Sequence, residues 1–224
     1  MKKRIQIDVT ILSFIIILTI FIYQFPKAYS TNIILDSLLN FVGMVILLKG
    51  VYLRMAARGF KKAHSQSGLG LVVSGPYSLV RNPMYLGSFL MGAGFILIVW
   101  PWWTLPVFTA LFYFRFKSQI LKEEVHLKEL FGYEYEEYTK KVPRLFPRLK
   151  NLLFAKTKEV FPLEYVWTTK EKWGLIGWPV LAVFLEGLQE RVVFGFVAWW
   201  NIILVFIFAV IIFALAKWLE YRRG

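Results

Sequence analysis

The stretch SGPYSLVRNPMYLGS, Ser74 to Ser88, places Arg81, Asn82 and Pro83 directly against the start of a long apolar run. Proline at the first helical position loses nothing by lacking an N–H, and asparagine is favoured at the position before it. The stretch therefore predicts a helix that begins at Pro83, with Asn82 as its cap, at the edge of an apolar medium. A helix N-terminus offers free N–H groups and a partial positive charge, to which Arg81 adds a full one. Together they predict an anion-holding corner at a membrane surface, with Tyr77 and Tyr85 on either side. The simpler alternative is that Asn82 only caps and Arg81 only meets lipid phosphate.

The surrounding composition supports the membrane setting. Of 224 residues, 58% are hydrophobic, and the mean hydropathy is +0.55, beyond what the core of a soluble domain requires. The apolar residues fall into blocks at Val9 to Phe25, Ile33 to Leu53, Met84 to Trp100, Trp102 to Phe116, Trp173 to Leu188 and Gly195 to Ala216. A spanning helix needs roughly 20 residues, so the second and sixth blocks are long enough outright and the fourth and fifth are short. The expected architecture is all-α: a polytopic bundle of about six transmembrane helices with a cofactor pocket at the cytosolic face.

Charge orients that bundle. With both termini inside, all but three of the 27 Lys and Arg residues fall on the cytosolic side, which is the asymmetry that retention of basic loops produces. Lys27 and Arg191 remain in outer loops, and Lys49 lies near the inner end of the second span, where its stem can snorkel. The net charge of +13 is then topology plus attraction to anionic lipid heads, not a nucleic-acid surface. The expected location is a multi-pass one in the plasma membrane of a prokaryote.

Three regions follow: a two-span entry (1–53), a central region (54–150) and a C-terminal extension with two further hydrophobic spans (151–224). Pro101, flanked by Trp100, Trp102 and Trp103, reads as a turn at the outer interface, where indoles settle. Ala28 to Ser30 resembles a cleavage site, but the preceding block is long and Lys27 is adjacent, so a retained anchor is expected. The chain has no cysteine, hence no disulfide, thiol nucleophile or lipidation site of its own.

Downstream, Gln119 to Tyr138 reads as a helix broken near Gly132. At 100° per residue, Leu127, Phe131 and Glu124 all fall within about 40° of Ile120, whereas Glu123 lies about 60° away at the edge of that stripe. A carboxylate inside an apolar stripe needs a partner, so Glu124 is expected to meet either a ligand or a buried cation. Glu134, Glu136 and Glu137 read as surface charge. His64 and His126 are too few and too far apart for a metal site, and no metal is expected. Ser88 and Gly92 form a small-xxx-small pair that suggests helix packing. Asp36, Asn40, Glu186 and Asn201 lie in or near spans, where polar groups raise a functional question. Gly68 and Gly70 complete no dinucleotide loop.

The segments GPYSLVRNPMYLG (Gly75 to Gly87), the pair Glu123–Glu124 and LFGYEYEEYTKKVPRLFP (Leu130 to Pro147) resemble, in content, order and spacing, the isoprenylcysteine carboxyl methyltransferase and phospholipid methyltransferase group of membrane enzymes. The resemblance covers roughly Gly43 to Pro147. It implies methyl transfer from S-adenosylmethionine, held at the cytosolic face, to a carboxylate or amine of a lipid-like or prenylated acceptor that arrives from the bilayer. Carried onto this chain, Arg81, Glu124 and Tyr85 become the expected catalytic residues. Tyr77, Arg81, Asn82, Tyr85, Glu123, Glu124 and Tyr135 become the expected cofactor-binding ones. The family usually has histidine where this chain has Asn82; asparagine can cap and hydrogen-bond, but it cannot carry a proton through neutral pH. Two alternatives stay open: an NADPH-dependent membrane reductase of the sterol type, which uses a similar arginine-proline stretch, and a non-catalytic transporter or scaffold. The tail from Phe131 to Pro147 looks like the methyltransferase side.

The expected topology has a direct check: reporter fusions at Ser30 and Arg191 should report the outer face and a fusion at Lys150 the cytosol. An inside signal at Ser30 overturns it.

Overall fold

The computed structural model describes residues 17–65, 70–148, 163–166 and 173–195, together with residues 197, 199, 203, 207, 210 and 211. Among these residues all regular structure is helical. Residues 17–23 are helical and lead to a 3₁₀ turn at Pro26–Ala28. Six α-helices follow in the described segments: α1 (Ile33–His64), α2 (Pro76–Leu79), α3 (Pro83–Val99), α4 (Leu105–Lys141), α5 (Leu163–Val166) and α6 (Gly174–Phe194).

The centre of the molecule is the antiparallel contact of α1 with α3. Its cause is a pair of glycines on each helix, seven residues apart. Gly43 meets Gly94 and Gly50 meets Gly87, so closely that a Cβ on Gly94 would lie 2.5 Å from Leu47 N and one on Gly50 2.6 Å from Met91 N. Small residues let backbones approach where a membrane supplies no hydrophobic drive between helices. Leu47, Val51, Met55, Ile98 and Val99 fill the rest of the seam, and Val166 of α5 and Ala182 of α6 close it. The expected pair Ser88 and Gly92 does not make one packing stripe. Ser88 accepts a hydrogen bond from Arg54 of α1, whereas Gly92 faces the ring of Phe108 on α4.

Helix α1 is started by Asn32, whose Oδ1 accepts from the N–H groups of Ile34 and Leu35 at 3.0 and 3.1 Å, and it runs on past Leu53 to His64. Among the described residues it is the one helix both long and apolar enough to cross a bilayer, while α3, at 17 residues, is apolar but shorter. Exposed Ile34, Leu38 and Phe41 line its first turns, as a lipid-facing surface requires. The first expected span is described only from residue 17, and most of the sixth, Gly195 to Ala216, lies outside the described residues. At the Pro101 turn, Trp100 Nε1 donates to Thr19 and Trp103 Nε1 to the Ala28 carbonyl, at 3.0 and 3.1 Å.

The fourth apolar block and the charged segment after it form one helix. α4 continues through Arg115 without a break, and the expected interruption falls at Gly132, with φ 47° and ψ −120°. Only glycine adopts such a conformation without strain. Beyond it the chain reverses enough for Tyr135, Tyr138 and Val142 to bury against Leu71, Leu127 and Phe131. Lys128 meets Glu136 across the kink at 2.8 Å. The chain then returns to the start of α3: the Arg81 N–H donates to the Pro143 carbonyl (2.8 Å) and the Asn82 N–H to the Arg144 carbonyl (3.2 Å).

The glycine seam predicts that Gly50→Val or Gly94→Val forces backbone apart and lowers stability by about 1–3 kcal/mol. Gly177→Ala, where a Cβ meets nothing within 4 Å, should not. Thermal unfolding of the three variants in one detergent measures the difference.

Candidate active site

The site forms where the α2–α3 corner, the middle of α4 and the returning segment 142–146 converge. Glu124 lies at its centre. The apolar stripe that contains it faces inward: Ile120 is 4% exposed and Glu124 8%, whereas Leu127 and Phe131 are half-buried and His126 is exposed. A carboxylate this deep loses most of its hydration, and two guanidinium groups replace it. Arg81 Nη1 approaches Oε1 at 3.3 Å. Arg144 grips both oxygens, with Nη2 2.8 Å from Oε2 and Nε 3.1 and 3.0 Å from Oε1 and Oε2. Of the two partners open to Glu124 from its sequence position, a ligand or a fixed cation, the structure supplies the cation twice.

Asn82 occupies the cap position of α3, with Pro83 at the first helical position, but its side chain makes no capping bond. Its Nδ2 donates instead to the Arg144 carbonyl at 3.1 Å and, at 3.5 Å, to Glu124 Oε1. Asn82 thus fastens the returning segment to the corner, and the sequence expectation of a side-chain cap is corrected. Its neighbour Glu123 is half-buried and differently engaged: it accepts from the Tyr85 hydroxyl at 2.7 Å and from Gln119 Nε2 at 3.1 Å. The Tyr85 ring packs on Phe116, with centroids 5.3 Å apart.

Three polar atoms around this pair are buried without a hydrogen-bond partner: Tyr77 Oη, Arg81 Nε and Tyr135 Oη. Such orphans are costly in a folded protein and call for an explanation. Burial, aided by the Glu123 charge, pushes the Tyr77 phenol well above its ordinary range. Burial and then Glu124 push Tyr135 up, and the guanidinium of Arg81 opposes them. Both phenols therefore stay protonated and able to donate at physiological pH. The Tyr138 hydroxyl donates to the Tyr77 carbonyl at 2.6 Å and ties the segment after Gly132 to α2.

All seven expected residues gather here. Arg81, Asn82 and Glu124 join directly, Tyr85 joins Glu123, and Tyr77 and Tyr135 border them. Glu136 and Glu137 pair at the surface with Lys128 and Lys140. Sequence reasoning missed Arg144 and Tyr138. The signal for Arg144 was present: a buried carboxylate demanded a partner, and Pro143 and Pro147 mark an extended segment in which Arg144 is free of helical constraint.

Residues 38–134 match the family model for phospholipid methyltransferase. The match spans less than half of the chain and makes that segment similar to the phospholipid methyltransferase family. Similar curated proteins include protein-S-isoprenylcysteine O-methyltransferases. The one from Schizosaccharomyces pombe is 35% identical over 77 residues, covering 34% of this chain and 33% of its own length. The one from Saccharomyces cerevisiae is 31% identical over 130 residues, 54% of each chain. A probable one from Oryza sativa subsp. indica is 31% identical over 111 residues, 46% of this chain and 58% of its own. The chain thus spans between a third and three-fifths of the length of these relatives. They are eukaryotic and lend no support to the prokaryotic location expected above. No solved structure matches the chain. The matched segment contributes Tyr77, Arg81, Asn82, Tyr85, Glu123 and Glu124; Tyr135, Tyr138 and Arg144 lie just past its end.

The two glutamates should separate experimentally. Glu124→Gln leaves two arginines facing a neutral amide, and breaking a buried pair costs about 3–5 kcal/mol. Because Arg144 is 49% exposed and solvent screens its share, the lower end of that range is expected. Glu123→Gln should cost less than about 1 kcal/mol. Chemical denaturation without ligand tests this, and equal losses would remove the special place of Glu124.

Proposed function

We propose that the chain is a membrane methyltransferase that uses S-adenosylmethionine and methylates the carboxylate of a prenylated or similarly lipid-like acceptor. The observation that carries the reading is the convergence of Arg81, Tyr77 and Tyr135, each with a buried unpartnered polar atom, inside or at the edge of the family segment. These groups suit the cofactor. Arg81, 13% exposed and fixed by Glu124, presents its remaining N–H groups to a carboxylate, and charge-assisted hydrogen bonds are the strong ones. The protonated phenols of Tyr77 and Tyr135 can donate to or accept from ribose hydroxyls. A tyrosine face, that of Tyr85 above all, can attract a sulfonium cation. When bound, the cofactor supplies an electrophilic methyl carbon. The protein's part is to hold donor and acceptor in line, and such proximity lowers a barrier by about 7–11 kcal/mol at best.

Within this division of labour Glu124 is a positioning residue. Its oxygens are already taken by Arg81, Arg144 and Asn82. Glu123, with one oxygen shared by Tyr85 and Gln119, keeps acceptor capacity for a ligand.

The choice of a carboxylate acceptor rests first on Asn82, Tyr77 and Tyr135, none of which offers a proton acceptor at the corner. Asn82 has no ionisable proton, and burial keeps Tyr77 and Tyr135 protonated. An amine acceptor must first lose a proton, whereas a carboxylate arrives ionised. The names of the curated relatives, S-isoprenylcysteine O-methyltransferases, favour the same acceptor. An apolar groove of about 620 Å³, lined by Phe89, Leu105, Phe112, Tyr113, Leu145 and Phe146, suits the lipid chain. It adjoins the polar site through Phe116, whose ring is 4.4 Å from Phe112 and 5.3 Å from Tyr85.

Calorimetry on the detergent-purified chain should show binding of S-adenosylmethionine and none of NADPH. Transfer of labelled methyl groups should give a base-labile ester on a prenylated cysteine and no product on phosphatidylethanolamine. Arg81→Ala should weaken cofactor binding roughly ten- to a hundredfold. Binding of NADPH in place of S-adenosylmethionine overturns the reading.

A further inference from the structure

Hydropathy falls sharply at Arg115, but the exposed apolar face of α4 does not end there. Val107, Leu111 and Phe114 precede that point, Leu121 and Val125 follow it, and all five are exposed. At 100° per residue they fall within about 80° of one another on the helix surface, with Ser118 as the polar residue set among them. Val125, at 57%, is as open as Val107, at 56%. Lipid around a spanning helix accounts for the first three, since acyl chains are as apolar as leucine. The last two need another account. The Phe116 ring packs on that of Tyr85, near the start of α3, with centroids 5.3 Å apart, and so marks the level at which α3 begins. Leu121 and Val125 lie roughly 7 and 14 Å further along the axis. An apolar stripe that outruns the spanning segment is the pattern of a helix that leaves the hydrocarbon and runs along its surface.

Charge on either side of the stripe selects what covers it. Lys122 and Arg115 fall within about 40° of one edge and Lys117 within about 40° of the other. All three are exposed, and none pairs with a carboxylate among the described residues. Arg115 Cζ lies 5.4 Å from the Phe116 ring centroid, and Lys117 Nζ lies 5.4 Å from that of Tyr113. Stems laid on apolar surface with the charge left at its edge are the habit of cations at a membrane boundary. Two occupants suit an apolar face of this length, a second copy of the chain or the bilayer itself. A two-fold pair would set Lys117 and Lys122 of one copy beside the same residues of the other, and such like-charge contacts oppose association. Anionic headgroups meet the same cations favourably, each lysine or arginine near the surface raising affinity roughly fivefold.

We propose that α4 beyond Arg115 docks on anionic lipid headgroups at the face of the bilayer where α3 begins, with Leu121 and Val125 among the upper acyl chains. Glu124 stands about 100° round the helix from Val125, so docking holds the corner of Arg81, Glu124 and Arg144 against the lipid surface. The chain has no cysteine, and Leu121→Cys, Val125→Cys and His126→Cys therefore each accept a single fluorophore. The labelled full chain is placed in phosphatidylcholine nanodiscs. Quenching is measured with a neutral water-soluble quencher, and with a small share of phosphatidylglycerol or phosphatidylcholine spin-labelled on the upper acyl chain. Labels at 121 and 125 should resist the water-soluble quencher and respond more strongly to phosphatidylglycerol than to phosphatidylcholine. A label at His126, exposed and clear of the stripe, should admit the water-soluble quencher. Combining Lys117→Gln with Lys122→Gln should lower the preference for phosphatidylglycerol roughly tenfold or more. Equal access of water at all three positions, equal quenching by the two lipids, or an unchanged preference in the lysine variant overturns the docking. Energy transfer between labels on two copies, with neither lipid reaching them, overturns it in favour of an interface between copies.

Discussion

A carboxylate withdrawn from water between two arginines organises one end of this molecule. Glu124 comes from the middle of α4, Arg81 from the corner before α3, and Arg144 from the segment that returns after the Gly132 kink. Each would be unfavourable alone at this depth, because burying an isolated charge costs far more than any single neighbour repays. Together they join three stretches of chain. The same contact fixes Arg81, leaving its Nε facing inward and unpartnered.

Features carried by local or periodic signals were legible in the sequence. The Asn–Pro pair marked the start of α3, the 3.6-residue period placed Glu124 on the buried side of α4, and a single glycine marked the kink. Features that depend on chain reversal were not. Arg144 reaches Glu124 only because Gly132 turns the chain and because the Pro143 and Arg144 carbonyls pair with the N–H groups of Arg81 and Asn82. That pairing also redirects the Asn82 side chain away from its expected cap. Hydropathy misled at one point. It changes sharply near Arg115 while helical preference does not, so an apolar block and a charged segment looked like two elements and are one. The glycine seam was readable in principle. Gly43 and Gly50, and Gly87 and Gly94, share a seven-residue spacing that the nearer pair Ser88 and Gly92 obscured.

The family segment and the site do not coincide. The match ends at residue 134, after the carboxylate and one of its arginines but before Tyr135, Tyr138 and Arg144. A segment cut there would leave Glu124 with one arginine, Arg81, and the α2 carbonyl of Tyr77 without its bond from Tyr138. The corner thus depends on a stretch that lies beyond the matched residues.

A buried carboxylate stands at each end of α1. At the Glu124 end fixed guanidinium groups neutralise the charge within the chain. At the Asp36 end the Asn40 amide donates to the carboxylates of both Asp36 and Glu186. The glycine seam between α1 and α3 lies between them and admits no movement of one backbone against the other without opening a closely packed contact. The rigid middle therefore lets the two ends differ in chemistry without disturbing each other.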